Sequence, residues 1–266
     1  VRASELLVTA GRQLLRRQPA GDLYSLAKQV HTVTLARGEL TALASDAALA
    51  VETFDQPLLV AVMGEFSSGK STFVNAFLGA AVAPVGITPT TATINVVKYG
   101  RTRKGRIVYR DDTAQDLSWD EVPRALAALD AEKTRSVRHV EVLYPLELLE
   151  RIQVVDTPGL NSILPEHDLA AREFIASADA VVWVFSVGQA GKATEREALN
   201  AIRAAGKEVV GVINKIDQAD PAEVPQLVAH VASELGTLLS TVVPVSARRA
   251  LAAKQAADPA ALAASS

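Results

Sequence analysis

The run Gly64-Glu65-Phe66-Ser67-Ser68-Gly69-Lys70-Ser71 constrains this chain more than any other feature, because it fits the pattern G-x-x-x-x-G-K-[ST]. The apolar stretch Leu58-Leu59-Val60-Ala61-Val62 just before it reads as a buried strand. A helix is expected from about Lys70. A strand that passes through a glycine-rich turn into a helix aims several backbone N–H groups at one point, without intrahelical partners. Such a cradle suits the α- and β-phosphates of a nucleotide. Lys70 then reaches the β- and γ-phosphates as a point charge, and the Ser71 hydroxyl suits Mg²⁺.

Four further motifs follow at predicted strand ends or in the loops between them. In Val154-Val155-Asp156-Thr157-Pro158-Gly159, Asp156 can hold Mg²⁺ through water and the Gly159 N–H can bond a γ-phosphate oxygen. Taken alone, Asp-Thr-Pro-Gly also reads as a simple turn. In Ile213-Asn214-Lys215-Ile216-Asp217, the carboxylate of Asp217 can accept two N–H bonds from guanine, at N1 and the exocyclic N2. Adenine offers neither donor there and leaves the carboxylate unpaired, which supports discrimination. Lys215 can lie along the base plane, and Asn214 can brace neighbouring loops. Ser246-Ala247-Arg248 follows the last predicted strand and fits a second base-side loop, its backbone N–H donating to guanine O6. Gly86-Ile87-Thr88-Pro89-Thr90-Thr91 supplies a threonine that can close over Mg²⁺ with its hydroxyl and hold the attacking water with its carbonyl. Thr91 is the first choice and Thr90 the second. The expected ligands are therefore GTP or GDP with Mg²⁺, held on the metal side by Ser71, Thr91 and Asp156.

Composition narrows the alternatives. There is no cysteine, which excludes disulfides and thiolate chemistry. The four histidines do not pair at metal-ligand spacing, and no apolar run approaches the roughly 18 residues of a membrane span. A net charge of -3 gives no reason to expect nucleic acid as a partner. Helical stripes (Ala3, Leu7, Ala10, Leu14; then Leu23, Leu26, Val30, Val33; then Leu40, Leu43, Ala47, Val51) mark an N-terminal segment without chemistry of its own. The expected organisation is a helical segment over 1–53, the nucleotide-binding domain over 54–250, and a helix or tail over 251–266. Beyond the first strand, strands are predicted over 93–99, 106–110, 137–143, 152–156, 180–185, 209–213 and 241–245. Helices are predicted over 121–130, 168–176, 194–204, 223–235 and 248–257. From residue 152 strands and helices alternate at the spacing of βαβ crossovers, so the expected fold is a three-layer α/β domain with a mostly parallel sheet. The chain starts with Val and its Ala-rich tail opens no new domain, so a piece of a longer protein is expected.

The motifs resemble those of a P-loop GTPase. More narrowly, the run Gly64–Gly79 with Thr72 after Ser71, then Pro89-Thr90-Thr91-Ala92 and Asp156-Thr157-Pro158-Gly159-Leu160-Asn161-Ser162, resembles the GTPase domain of the dynamin superfamily, especially its bacterial members. The resemblance covers about residues 51–251. It implies that Gly64, Glu65, Phe66, Ser68, Gly69, Ser71 and Thr72 line the nucleotide and that Ser67 stabilises transition-state charge. It also implies GTP hydrolysis stimulated by nucleotide-dependent pairing of two GTPase domains, and membrane remodelling through a helical neck, a stalk and a tip outside this chain. The implied location is the cytoplasm, peripheral to the inner face of the cell membrane. Leu160 stands where Ras-like enzymes place a water-orienting glutamine, so catalysis calls on backbone groups, Ser67, Thr91 or a partner. The second class left open by the motifs is a regulatory or assembly GTPase linked to ribosome or tRNA. Gly188–Lys192, after the strand ending near Val187, is expected on the nucleotide side as a contact loop.

Overall fold

The computed structural model describes residues 21–35, 43–48, 56–82, 94–128, 131–157, 175–188 and 191–265. The chain divides into two compact units, one over Leu7–Pro57 and one that includes Leu58–Ser266. In the first, α1 (Gly21–Leu35) is followed by a helical turn over 43–48. His31 Nδ1 lies 3.1 Å from the Ala44 carbonyl, and Thr34, Ala44 and Ala47 are buried. The stripe expected to pack α1 is only partly used, since Leu26 and Val33 stand exposed.

Among the described residues, the second unit is built on a nine-stranded sheet. Its strands in chain order are β1 (Leu58–Met63), β2 (Asn95–Tyr99), β3 (Lys104–Tyr109), β4 (Ala114–Ser118), β5 (Val137–Tyr144), β6 (Ile152–Asp156), β7 (Ala180–Ser186), β8 (Glu208–Asn214) and β9 (Thr241–Val245). They lie in the order β4-β3-β5-β2-β6-β1-β7-β8-β9. From β6 to β9 every pairing is parallel. These strands read as near-continuous apolar runs because both faces are covered. In β7 every residue but the last is buried.

Helix α2 (Lys70–Leu78) leaves β1, α5 (Ala193–Ala204) joins β7 to β8, and α6 (Val224–Leu235) joins β8 to β9. The last two connections step the same way along the sheet, so right-handed crossovers put α5 and α6 on one face. There Leu199, Ile202, Val231 and Leu235 close over Ala61, Met63, Trp183, Phe185 and Ile213. Helix α7 (Ala247–Gln255) packs against α2, and neither contributes to that cluster, which leaves them the opposite face. A short α8 (Pro259–Ala263) follows, its N-terminal N–H groups capped by Asp258.

The other half of the sheet departs from the expected pattern. Strand β2 runs antiparallel to β6 and parallel to β5, and β3 and β4 add an antiparallel hairpin at the edge. Strand β4 was not expected, because Ala-Gln-Asp-Leu-Ser buries only Leu117 and so carries almost no alternation. Its turn is signalled by Asp111-Asp112-Thr113. The Asp111 carboxylate accepts from the Thr113 N–H at 3.0 Å and hydroxyl at 2.6 Å, and Asp112 turns the chain at φ 62. The helix expected over 121–130 forms as α3 (Val122–Ala127), and α4 (Ala131–Ser136) follows without an apolar stripe to announce it. The helix expected over 168–176 lies almost wholly outside the described residues.

Leu199 is fully buried between α5 and the sheet. Leu199→Ala should lower stability by about 2–5 kcal/mol. Urea unfolding checks this: the midpoint should fall with the m-value unchanged, and a loss under ~1 kcal/mol would mean that the face can collapse around the cavity.

Candidate functional site

The site lies at the C-terminal ends of the parallel strands, around the point where chain order reverses about β1. The glycine-rich loop bends between β1 and α2 at Gly64 (φ 145), Ser67 (φ 58) and Gly69 (φ 91). A Cβ at Gly64 would stand 2.3 Å from the Val184 carbonyl oxygen, and one at Gly69 would stand 2.4 Å from Nδ2 of Asn214. Both positions therefore need glycine for backbone angle and for space.

The loop encloses its own cation. Lys70 donates from Nζ to the carbonyls of Glu65 at 2.9 Å and Gly64 at 3.3 Å. Burial lowers its pKa from 10.5 to about 8, against the opposing pull of Asp156 and Glu65. Ser71 opens the helix beside it and donates its hydroxyl to Asp156 Oδ2 at 2.6 Å. Asp156 ends β6 and is 3% exposed. Burial raises its pKa to about 6, while Ser71 and Lys70 pull it down. Its other oxygen, Oδ1, has no hydrogen-bond partner among the described residues. A buried carboxylate oxygen without a donor, next to a serine hydroxyl, is the donor set a hard divalent cation takes. The residues present fit Mg²⁺. Thr157 is tied back to the Val62 carbonyl by its hydroxyl at 2.9 Å, which fixes the start of the loop after β6.

Asn214 ends β8 and joins three loops. Its Nδ2 donates to the Ser68 carbonyl at 2.9 Å, and its Oδ1 accepts from the N–H groups of Lys215 at 2.8 Å and Ala247 at 3.0 Å. Lys215, in the left-handed region at φ 65, carries its ammonium onto the Ser67 carbonyl at 2.6 Å. Asp217 sits in the short turn beyond. Its Oδ1 accepts from the Ser246 hydroxyl at 2.6 Å and its Oδ2 from Arg248 Nη2 at 2.9 Å. Burial pushes its pKa up, but the Ser246 hydrogen bond and the charges of Arg248 and Arg249 together leave it below the ordinary carboxylate value.

The residues singled out from sequence thus converge from the loop after β1, the end of β6 and the loops after β8 and β9. Phe66 and Ser67 face solvent, while Ser68 and Lys70 are buried. Glu65, Ser71 and Thr72 are half-buried. Thr90, Thr91, Gly159 and Leu160 lie outside the described residues.

The segment ending at Lys192 was expected on the nucleotide side, but the contacts that hold it there escaped sequence reasoning. The Glu65 carboxylate pairs with the Lys192 ammonium and accepts from the Thr194 hydroxyl at 3.3 Å. Glu195, 2% exposed, accepts from the N–H groups of Gly191 at 2.9 Å and Lys192 at 3.1 Å. The Glu65 carboxylate therefore binds the segment before α5 to the glycine-rich loop, and the Glu195 carboxylate fastens that segment to the first turn of α5. The available signal was a glutamate in the first turn of a predicted helix, three residues after Lys192 at the cap position.

Comparison with known proteins bears on the whole arrangement. The model of the Dynamin family matches residues 60–216. A bacterial dynamin-like protein of Nostoc punctiforme is 32% identical over 186 residues, covering 63% of this chain and 27% of that one. Dynamin-like protein 2 of Campylobacter jejuni is 26% identical over 202 residues, 75% of this chain and 32% of that one. The chain thus spans about a third or less of the length of these two relatives. Among solved structures, an oligomerised bacterial dynamin pair, described as a mechanism for long-range sensing and tethering of membranes, superposes with a TM-score of 0.63 at 17% identity. It covers 88% of this chain and 40% of that one. That likeness supports the α/β fold with a P-loop. The family match covers more than half of the chain and favours the dynamin reading over the ribosome- or tRNA-linked class. Given the loop, the carboxylate at the end of β6 and the match over residues 60–216, this chain belongs to the dynamin family.

Proposed function

We propose that the chain is the GTP-binding and GTP-hydrolysing domain of a dynamin-like protein. The observation that carries this reading is the convergence on Asn214, which ties the phosphate-type loop to both base-side loops. In the proposed reaction, water attacks the γ-phosphorus as the bond to the β–γ bridging oxygen breaks, giving GDP and inorganic phosphate. Lys70 exchanges two carbonyl oxygens for β- and γ-phosphate oxygens and stabilises the charge that develops on the leaving oxygen. Loop N–H groups from Glu65 to Thr72 hold the phosphates. Ser67, exposed and in the left-handed region, is the loop residue to which this reading gives the transition-state charge. Ser71, Asp156 and Thr91 would hold Mg²⁺, which when bound neutralises phosphate charge. Asp217 reads the guanine edge, Lys215 flanks the base, and the N–H groups of the Ser246–Arg248 turn face O6.

With Leu160 unable to orient water by hydrogen bonding, a lone domain should turn over slowly, and a second GTPase domain would complete the site. Coupling to membrane remodelling would run through parts of the protein outside this chain, with the domain in the cytoplasm at the inner face of the membrane and without nucleic acid as a partner. No helix among the described residues is long and apolar enough to cross a membrane.

GTP turnover per molecule should rise with protein concentration, with Lys70→Met as the blank; a flat rate counts against pairing. Lys70→Met should also remove GTP binding in a titration. Because burial lowers the Lys70 pKa from 10.5 to about 8, the unfolded chain holds more protons between those values, so its contribution to stability rises with pH there. At pH 7 the full cost of the buried charge remains, and Lys70→Met should stabilise the protein without nucleotide by up to about 3 kcal/mol. A variant no more stable than wild type by urea unfolding would refute the buried-charge account. Asp217→Asn should weaken GTP by about 10–100-fold and improve xanthosine triphosphate, whose C2 carbonyl faces the new amide N–H. Retained rejection of the xanthine nucleotide in competition binding would argue against the role of Asp217.

A further inference from the structure

We propose that Arg248 competes with the guanine base for Asp217, holding the carboxylate until the base enters and displaces it. This rests on the guanine-nucleotide reading above and adds a step to it. Both oxygens of Asp217 are engaged within the chain, Oδ1 by the Ser246 hydroxyl at 2.6 Å and Oδ2 by Arg248 Nη2 at 2.9 Å. The two partners differ in their freedom to leave. Ser246 is fully buried, its hydroxyl accepts from the Arg249 N–H at 3.3 Å, and its own N–H donates to the Ser265 carbonyl at 2.7 Å. The Arg248 side chain is 79% exposed, whereas that of Asp217 is 4% exposed. Arg248 is therefore the partner that can be exchanged, and it approaches the carboxylate from solvent.

The chemistry of the exchange is close to symmetrical. N1–H, C2 and the exocyclic N2 of guanine form a guanidine unit within the purine. Arginine carries the same unit, N–H donors on one planar carbon, and Arg248 brings one of them, on Nη2, to the same carboxylate. Adenine carries no such unit. A buried carboxylate left with an open oxygen is costly, so Arg248 supports Asp217 before the base arrives. The base must then replace one guanidine with another, and net affinity falls by the worth of the arginine contact. For a pair with one exposed member this corresponds to about two- to fivefold in affinity. Competition acts on the free protein, so it slows entry of the base and leaves its departure unchanged.

Stopped-flow binding of fluorescent N-methylanthraniloyl GDP to wild type, Arg248→Ala and Arg248→Lys tests this, with the labelled ADP as control. In Arg248→Ala the association rate and the affinity should both rise about two- to fivefold with the dissociation rate constant unchanged. Arg248→Lys keeps the charge without the planar guanidinium that reaches Oδ2 and should also bind faster than wild type. Faster dissociation and weaker binding in Arg248→Ala would overturn the proposal, because the side chain would then hold the bound base. Unchanged rates in both variants, or a lysine variant indistinguishable from wild type, would overturn it as well. Wild type that binds labelled ADP as tightly as labelled GDP would instead defeat the guanine reading, and this inference with it.

Discussion

One side-chain amide holds three loops of this domain together. Asn214 is almost fully buried at the end of β8, and it spends both its donor and its acceptor on backbone groups of the glycine-rich loop, its own turn and the turn after β9. The contact works only because Gly69 has no Cβ, which would lie 2.4 Å from the amide nitrogen. The Gly69 backbone angle, the loop before α2 and the base-side turns are thereby one mechanical unit. A polar tie of this kind is costly when half-made and specific when complete. The rest of the site inherits its geometry.

Around that tie the domain buries charge for use rather than for stability. Lys70 and Asp156 are both deeply buried and both shifted toward neutrality, Lys70 to about 8 and Asp156 to about 6. Each also keeps capacity for a ligand. The lysine rests on two carbonyl oxygens that a phosphate can replace, and the aspartate has one oxygen without a donor among the described residues. Groups tuned this way cluster at functional sites because the ligand supplies the countercharge that the fold withholds. The Glu65–Lys192 pair and the Glu195 clasp extend the unit to the segment before α5, so the glycine-rich loop is restrained from two directions.

The parallel half of the fold was legible in the amino-acid sequence, and the other half much less so. Strands such as β7 and β8 are unbroken apolar runs, and the helices between them carry apolar residues at helical spacing, so local periodicity suffices to find them. Strand β4 shows one buried residue in five and is held by pairing with β3 and by the Asp111–Thr113 turn. Such a strand is made by its neighbour, and periodicity cannot reveal it. The same holds for α4, which is short and polar. For α1 the periodicity predicted a helix correctly, yet Leu26 and Val33 of its stripe stand exposed, because pattern specifies a face and not what covers it.

Sequence alone determined the chemical vocabulary of the site. The strand–loop–helix around Gly64–Ser71, the carboxylate of Asp156 after an apolar run, and the Asn214–Asp217 turn after another are local features, and their meaning depends on local backbone geometry and on which atoms each side chain carries. Tertiary structure decided who meets whom. That Lys215 rests on Ser67, that Arg248 engages Asp217, and that Lys192 pairs with Glu65 all follow from strand order, which sets β7 beside β1 and β9 beside β8. Pairings between residues more than a hundred positions apart, and the pKa shifts that burial imposes on Lys70 and Asp156, are properties of the packed sheet. They arise only when the strands bring these side chains together and cover Lys70 and Asp156 from solvent.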